Sequence, residues 1–138
     1  MCSSDLLNRR YSAIWRAARE AIGAGRIGPV IGAEAVFAAS SVAVRGPGNP
    51  IFDPDGAGGG ILSWLGVHDM DALLWLTGET VVEVSALAGR VGVPGLGVEN
   101  AISVAMRLSG GGIATMHDSY ALPGRGYWTW FEIGRAHV

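Results

Sequence analysis

Apolar residues recur along this chain with two different periods, and the changes of period mark its elements. Over residues 8–24, Ile14, Ala17, Ala18, Ala21 and Ile22 fall at three-and-four spacing. That spacing predicts an amphipathic helix with Ser12 at its N-cap and Gly25 as its stop. Residues 30–39 alternate instead, with Ile31, Ala33, Ala35 and Phe37 on one side, and read as a strand. Gly46 to Gly60 is rich in Gly, Pro and Asp and reads as a long loop or lid of the kind that carries function. Residues 60–77 predict a second helix, apolar over most of its circumference and ended by Gly78. Residues 81–91 read as a strand, and Gly92 to Gly97 as a loop. Over residues 100–108, Ile102, Val104, Met106 and Leu108 point one way, and Ser103 and Arg107 the other. Ser109-Gly110-Gly111-Gly112 signals a hairpin turn, with residues 113–121 as the returning strand. Tyr127 to Glu132 begins a further strand or short helix. The order predicts an α+β fold: an open, mostly antiparallel sheet with helices packed on one face.

Composition narrows the function classes. With 138 residues and 49% apolar content the chain is long and oily enough for one domain with a buried core, which excludes global disorder. No apolar run reaches the length of a membrane span. A formal net charge of −2 provides neither a basic field for nucleic acid nor a polybasic patch for a membrane surface. The single Cys excludes an internal disulfide and a zinc knuckle. All ten basic residues are Arg. Chemistry that requires a lysine ammonium therefore lies beyond this chain alone.

Both tips share a signature at the DNA level. The string GTG TGC TCT TCC GAT CT encodes Met1-Cys2-Ser3-Ser4-Asp5-Leu6 when GTG starts translation. Its reverse complement encodes Glu132-Ile133-Gly134-Arg135-Ala136-His137. The string matches a common sequencing-library adapter. Residues 1–6 and 132–138 are therefore expected to be translated adapter, with residues 7–131 as the natural segment of a larger gene. Cys2 and His137 then leave any site argument.

The chemistry-bearing segment is the second helix. On a wheel of 100° per residue, Trp64, His68, Asp71 and Trp75 fall within an arc of about 60°. An otherwise oily rod thus carries one stripe with an imidazole, a carboxylate and two indoles. A buried imidazole and carboxylate are costly unless paired or turned toward a cavity. His68 and Asp71 are close enough on a helix to touch, and a carboxylate beside a histidine can fix its tautomer for proton transfer. The two indoles offer a wall for a sugar ring or a nicotinamide. The competing reading is a satisfied His–Asp pair that merely pins the helix in the core. Asp69 falls in the apolar arc and fits neither reading, unless the helix bends there or that arc is less buried.

The motif Gly-Gly-Gly-x-Leu-x-x-x-Gly-x-His-x-x-Asp, over residues 58–71, resembles the start of the long helix in the C-terminal domain of the Gfo/Idh/MocA oxidoreductases. Asn8-Arg9-Arg10-Tyr11 and the stretch Gly25-Arg26-Ile27-Gly28-Pro29-Val30 are similar to the family's segment between its two domains. The strand and hairpin follow in the same order, so the resemblance extends over residues 8–131. It implies that residues 7–131 are a partial substrate and oligomerisation domain, whose parent binds NAD or NADP mainly through a separate Rossmann domain. No Gly-x-Gly-x-x-Gly follows a strand here, and the family's Glu-Lys-Pro segment is absent. The resemblance implies that His68 is the catalytic acid–base group. It implies that Trp64, Asp71 and Trp75 contact a sugar, polyol or related hydroxyl substrate, and that Arg9 or Arg10 reaches the cofactor or a substrate carboxylate. The family commonly has Asp where this chain has Trp64, which leaves Asp71 as the candidate orienting carboxylate. It further implies a cytoplasmic enzyme, a homo-oligomer joined through its sheet face, and an isolated chain without turnover.

Two other readings compete. One is a non-catalytic assembly module built on the small, apolar sheet faces. The other is a metal-dependent hydrolase using His68-Asp69 and His117-Asp118. In an alternating strand His117 and Asp118 point to opposite faces, which weakens a shared metal site and makes His117 a sheet-surface residue.

Overall fold

A computed structural model describes residues 7–135. Residues 1–6 and 136–138, which include the expected N-terminal tip and the end of the C-terminal one, lie outside the described residues. A 3-10 turn, Asn8–Tyr11, precedes helix α1, Ala13–Gly23. Ser12 sits at the N-cap in extended conformation, without a side-chain cap bond. Its extended backbone interrupts the helical path, so the expected helix over 8–24 is two pieces. Strand β1, Val30–Ala39, follows; Ala33 and Ala35 are buried as the alternation predicts, but the pairing shifts register between Val30 and Gly32, where Val30 is buried and Ile31 exposed.

The loop region from Gly46 is organised locally. After a short helix α2, Ser41–Arg45, come a 3-10 turn, Pro50–Phe52, and helix α3, Pro54–Ala57. The side chains of Asn49 and Asp53 accept the first free amides of these two turns, as caps do. Phe52 anchors the loop in the core, its ring edge-on to Tyr120 at 5.6 Å between centroids. A π turn, Leu62–Gly66, leads straight into helix α4, Val67–Thr77. Gly78 then adopts the left-handed conformation (φ 71°) that closes a helix, and its amide donates to the Leu74 carbonyl.

The remaining strands are β2 (Val81–Gly89), β3 (Ala101–Leu108), β4 (Ile113–Ser119) and β5 (Tyr127–Arg135). They form one sheet with β1 in the order β2-β3-β4-β1-β5. Only β1 and β4 run parallel; the other three pairings are antiparallel, as expected. Tyr127 to Glu132, open in sequence between strand and helix, is strand, because Phe131 and Trp130 pair with Ala35 and Val36 of β1. The pairing continues through Glu132–Glu34 and Gly134–Gly32. Edge pairing uses main-chain groups and tolerates many sequences.

The helices cover one face of the sheet. Ile102, Val104, Met106, Leu108, Ala114 and Met116 lie buried in one cluster with Ile61, Leu73 and Phe52. Each large side chain among them contributes roughly 1.5–3 kcal/mol by leaving water. The opposite face is open and bears Leu87, Ser103, Thr115 and His117. No helix among the described residues is long and apolar enough to cross a membrane.

Candidate functional site

The π turn decides where the second helix aims its side chains. A π turn holds more residues than an α turn, so the wheel drawn for a uniform helix loses register between Trp64 and His68. The four residues of the expected stripe consequently go to different partners. Trp64 is half-buried and donates its indole Nε1–H to the Ala57 carbonyl at 3.1 Å. Asp71 accepts from Arg10, whose Nε lies 2.8 Å from one carboxylate oxygen and whose Nη2 contacts the other. Trp75 lies under the Arg19 guanidinium, 6.0 Å from the ring centroid. His68 turns toward a hollow of about 250 Å³ that it lines with Asn8, Arg9, Phe37 and Leu65. Its Nδ1 is buried and unpartnered, so the expected His68–Asp71 hydrogen bond is not what orients the ring.

The residues preceding α1 and α1 itself lie along α4 and are held by arginines. Arg9 pairs with Asp69, Arg10 with Asp71, and Arg19 Nη1 donates to the Leu76 carbonyl at 3.0 Å near the end of α4. Arg9 also sits over the Trp15 ring at 5.3 Å, and Trp15 meets Phe131 of β5 edge-on at 4.9 Å. Of the two expected cofactor-side arginines, Arg9 is on the hollow, and Arg10 is spent on Asp71.

Sequence reading missed a second feature. Asp69 is 1% exposed and Asp118 is 0% exposed, and their carboxyl groups face one another where α4 crosses β4. Burial pushes the Asp118 carboxyl up to about 8, and the Asp69 charge adds to the effect. Burial also raises Asp69, while Arg9 works against the rise. Signals for both were present in the sequence. Asp69 fell in the apolar arc of the helix. Asp118 is in phase with Ala114 and Met116, on the buried side of β4. The two His-Asp dipeptides thus bring their aspartates together and send their histidines apart. His117 is exposed on the open face, where its Nδ1 lies 2.7 Å from Ser103 Oγ. Among the described residues no group of three or more His, Cys, Asp or Glu is placed to hold a metal ion.

A family profile described as GFO/IDH/MocA C-terminal domain matches residues 15–134. A 1,5-anhydro-D-fructose reductase of Ensifer adhaerens is 35% identical over 111 residues, which span 80% of this chain and 33% of that enzyme. The structure of GenD2 from gentamicin A biosynthesis in complex with NAD aligns at 26% identity with a TM-score of 0.79, over 94% of this chain and 36% of that one. Levoglucosan dehydrogenase in complex with NADH and L-sorbose shares the fold, with a TM-score of 0.85 at 21% identity over 94% of this chain and 38% of that one. The chain therefore spans little more than a third of the proteins it matches. The agreement of profile, sequence and sheet topology shows that this chain belongs to the Gfo/Idh/MocA family, with residues 15–134 matching its C-terminal domain.

Proposed function

We propose that this chain is the substrate-side portion of a cytoplasmic, NAD(P)-dependent oxidoreductase that acts on a sugar, polyol or related hydroxyl compound. The observation that carries this reading is the placement of His68. Its ring lines a hollow beside Arg9 instead of being sealed among aliphatic groups. The Ensifer adhaerens reductase supports a sugar-like substrate. A nicotinamide, when bound, supplies or accepts the hydride. The task of this chain is the proton. His68 takes it from the substrate hydroxyl as hydride leaves, or returns it to the carbonyl in the reverse direction. Arg9 lines the substrate or cofactor side of the hollow. Arg10, Asp71, Trp64 and Trp75 hold the frame around it.

In this reading the dinucleotide is bound mainly by parent residues outside the chain, and residues 1–6 and 132–138 are adapter-derived. Sequencing the parent locus tests both points. The expected result is an in-frame Gly-x-Gly-x-x-Gly after a strand pattern upstream, with codons that depart from those of the tips. The purified parent should turn over members of a sugar and polyol panel with NADH or NADPH, and the 138-residue chain should not. Turnover by the short chain, or a parent locus without the fingerprint, would overturn the reading.

The open sheet face is the surface we propose for self-association. Leu87 stands 81% exposed there beside Ser85, Ser103 and Ala105, a flat, small-residue setting suited to an isologous contact. The chain is expected to elute as a dimer on sizing chromatography and Leu87→Arg as a monomer. A wild-type chain that stays monomeric at high concentration would refute the contact.

A further inference from the structure

Asp69 and Asp118 present a charge problem that their surroundings do not solve. Both are buried, and the Arg9 guanidinium touches only Asp69. Apart from the Arg9 contact to Asp69 and the Phe37 main chain beside Asp118, no donor among the described residues reaches the four carboxyl oxygens. The other groups facing the pair are His68 on α4, the Phe37 main chain on β1, and Tyr120 just past the end of β4. Burial keeps the Tyr120 phenol protonated far above neutral pH. The His68 Nδ1 has no partner, so it is not bonded to either acid. Two ionised carboxylates against one guanidinium leave a surplus negative charge out of water, which is costly. Two carboxylates also only accept, so their contact is repulsive until one of them carries a proton. Gly66 brings the pair close to the helix: a Cβ there would come within 2.8 Å of Asp118 Oδ2. The absence of a side chain at Gly66 is what lets the Asp118 carboxyl lie between the π turn and β4.

We propose that Asp69 and Asp118 share one proton in the folded protein, and that this singly protonated pair seats Arg9 on the wall of the His68 hollow. The proton resides mainly on Asp118, whose O–H donates to Asp69; Asp69 stays ionised and pairs with Arg9. Asp69 and Asp118 are positioning residues, because they act on the hollow through Arg9.

The sign of the pH dependence follows. Asp118 titrates at about 8 in the folded chain and near its ordinary value of about 4 when unfolded. Between these values the folded state holds the extra proton, so stability falls as pH rises through the window. The contribution is full below about pH 4 and is lost above about pH 8.

Infrared spectroscopy of the whole 138-residue chain tests the proton directly. The expected result is a protonated-carboxyl C=O stretch at pH 7 that fades as pH passes about 8. The band should be absent from Asp118→Asn, which lacks the carboxyl that carries the proton. The amide of Asp118→Asn replaces the O–H donor, so its Tm should stay level from pH 6 to 9, where the wild-type Tm falls. Trypsin should cleave slowly after Arg9 in the wild type and in Asp118→Asn, and faster in Asp118→Ala. A wild type without a carboxylic-acid band at pH 7, or a band that persists in Asp118→Asn, would overturn the shared proton. Equal cleavage rates in Asp118→Asn and Asp118→Ala would overturn the seating of Arg9. If Asp118→Ala does not fold, the wild-type band and the Asp118→Asn profile still decide the question. The result is independent of the sugar assay, so failure of the one is distinguishable from failure of the other.

Discussion

Replacing His68 by Gln in the full-length parent is expected to lower kcat by about 10²- to 10⁴-fold, the usual contribution of a positioned acid–base group. KM should change little, because glutamine keeps a polar side chain of similar reach and loses only the ability to exchange a proton near neutrality. The expectation rests on an inventory of the hollow. Its lining is Asn8, Arg9, Phe37, Leu65 and His68, and histidine is the one type among these suited to proton transfer at neutral pH. The chain has no Lys to act instead. Asp69 and Asp118 are sealed between α4 and β4 and are not among the residues lining the hollow. Steady-state kinetics of the wild-type parent and the variant provide the check. A His68→Gln parent with the wild-type rate would remove His68 from the chemistry.

Asp69→Ala is expected to destabilise the chain by about 3 kcal/mol, in the lower part of the range for breaking one side of a buried ion pair. Arg9 is only 19% exposed, and it loses its carboxylate. The cost stays at the lower end because Asp118 lies beside the vacated site and can ionise toward Arg9. For a domain of this size the loss corresponds to a Tm lower by roughly 10 °C. Asp69→Asn should cost less, since its amide can donate to Asp118. Urea unfolding at pH 7 measures both. A change below about 1 kcal/mol for Asp69→Ala, the level of an exposed pair, would show that the buried pair contributes no more than a surface one.

Most of the fold was legible because it rests on local patterns. The alternation over β3 set Ile102, Val104, Met106 and Leu108 on one side, and that side is the buried face. Gly78 marked the end of α4, and the Gly-rich turn after Ser109 marked the hairpin. Less of the site was legible. The stripe of Trp64, His68, Asp71 and Trp75 assumed one uniform helix, whereas the π turn at Leu62–Gly66 shifts its register. Asp71 was expected beside His68, and its two oxygens instead serve Arg10, sixty-one residues away in sequence.

The sequence by itself determined the two main helices and strands β1 to β4, the antiparallel hairpin, the buried side of β3 and the family resemblance. Each of these depends on residue spacing within a few turns or one strand. Only the tertiary structure decided which charges meet. Asp69 on α4, Asp118 on β4 and Arg9 ahead of α1 come together because the helices pack across the sheet where β1 and β4 run parallel. An ion pair or a shared proton is set by distance and by exclusion of water. Neither is written in the order of residues along the chain.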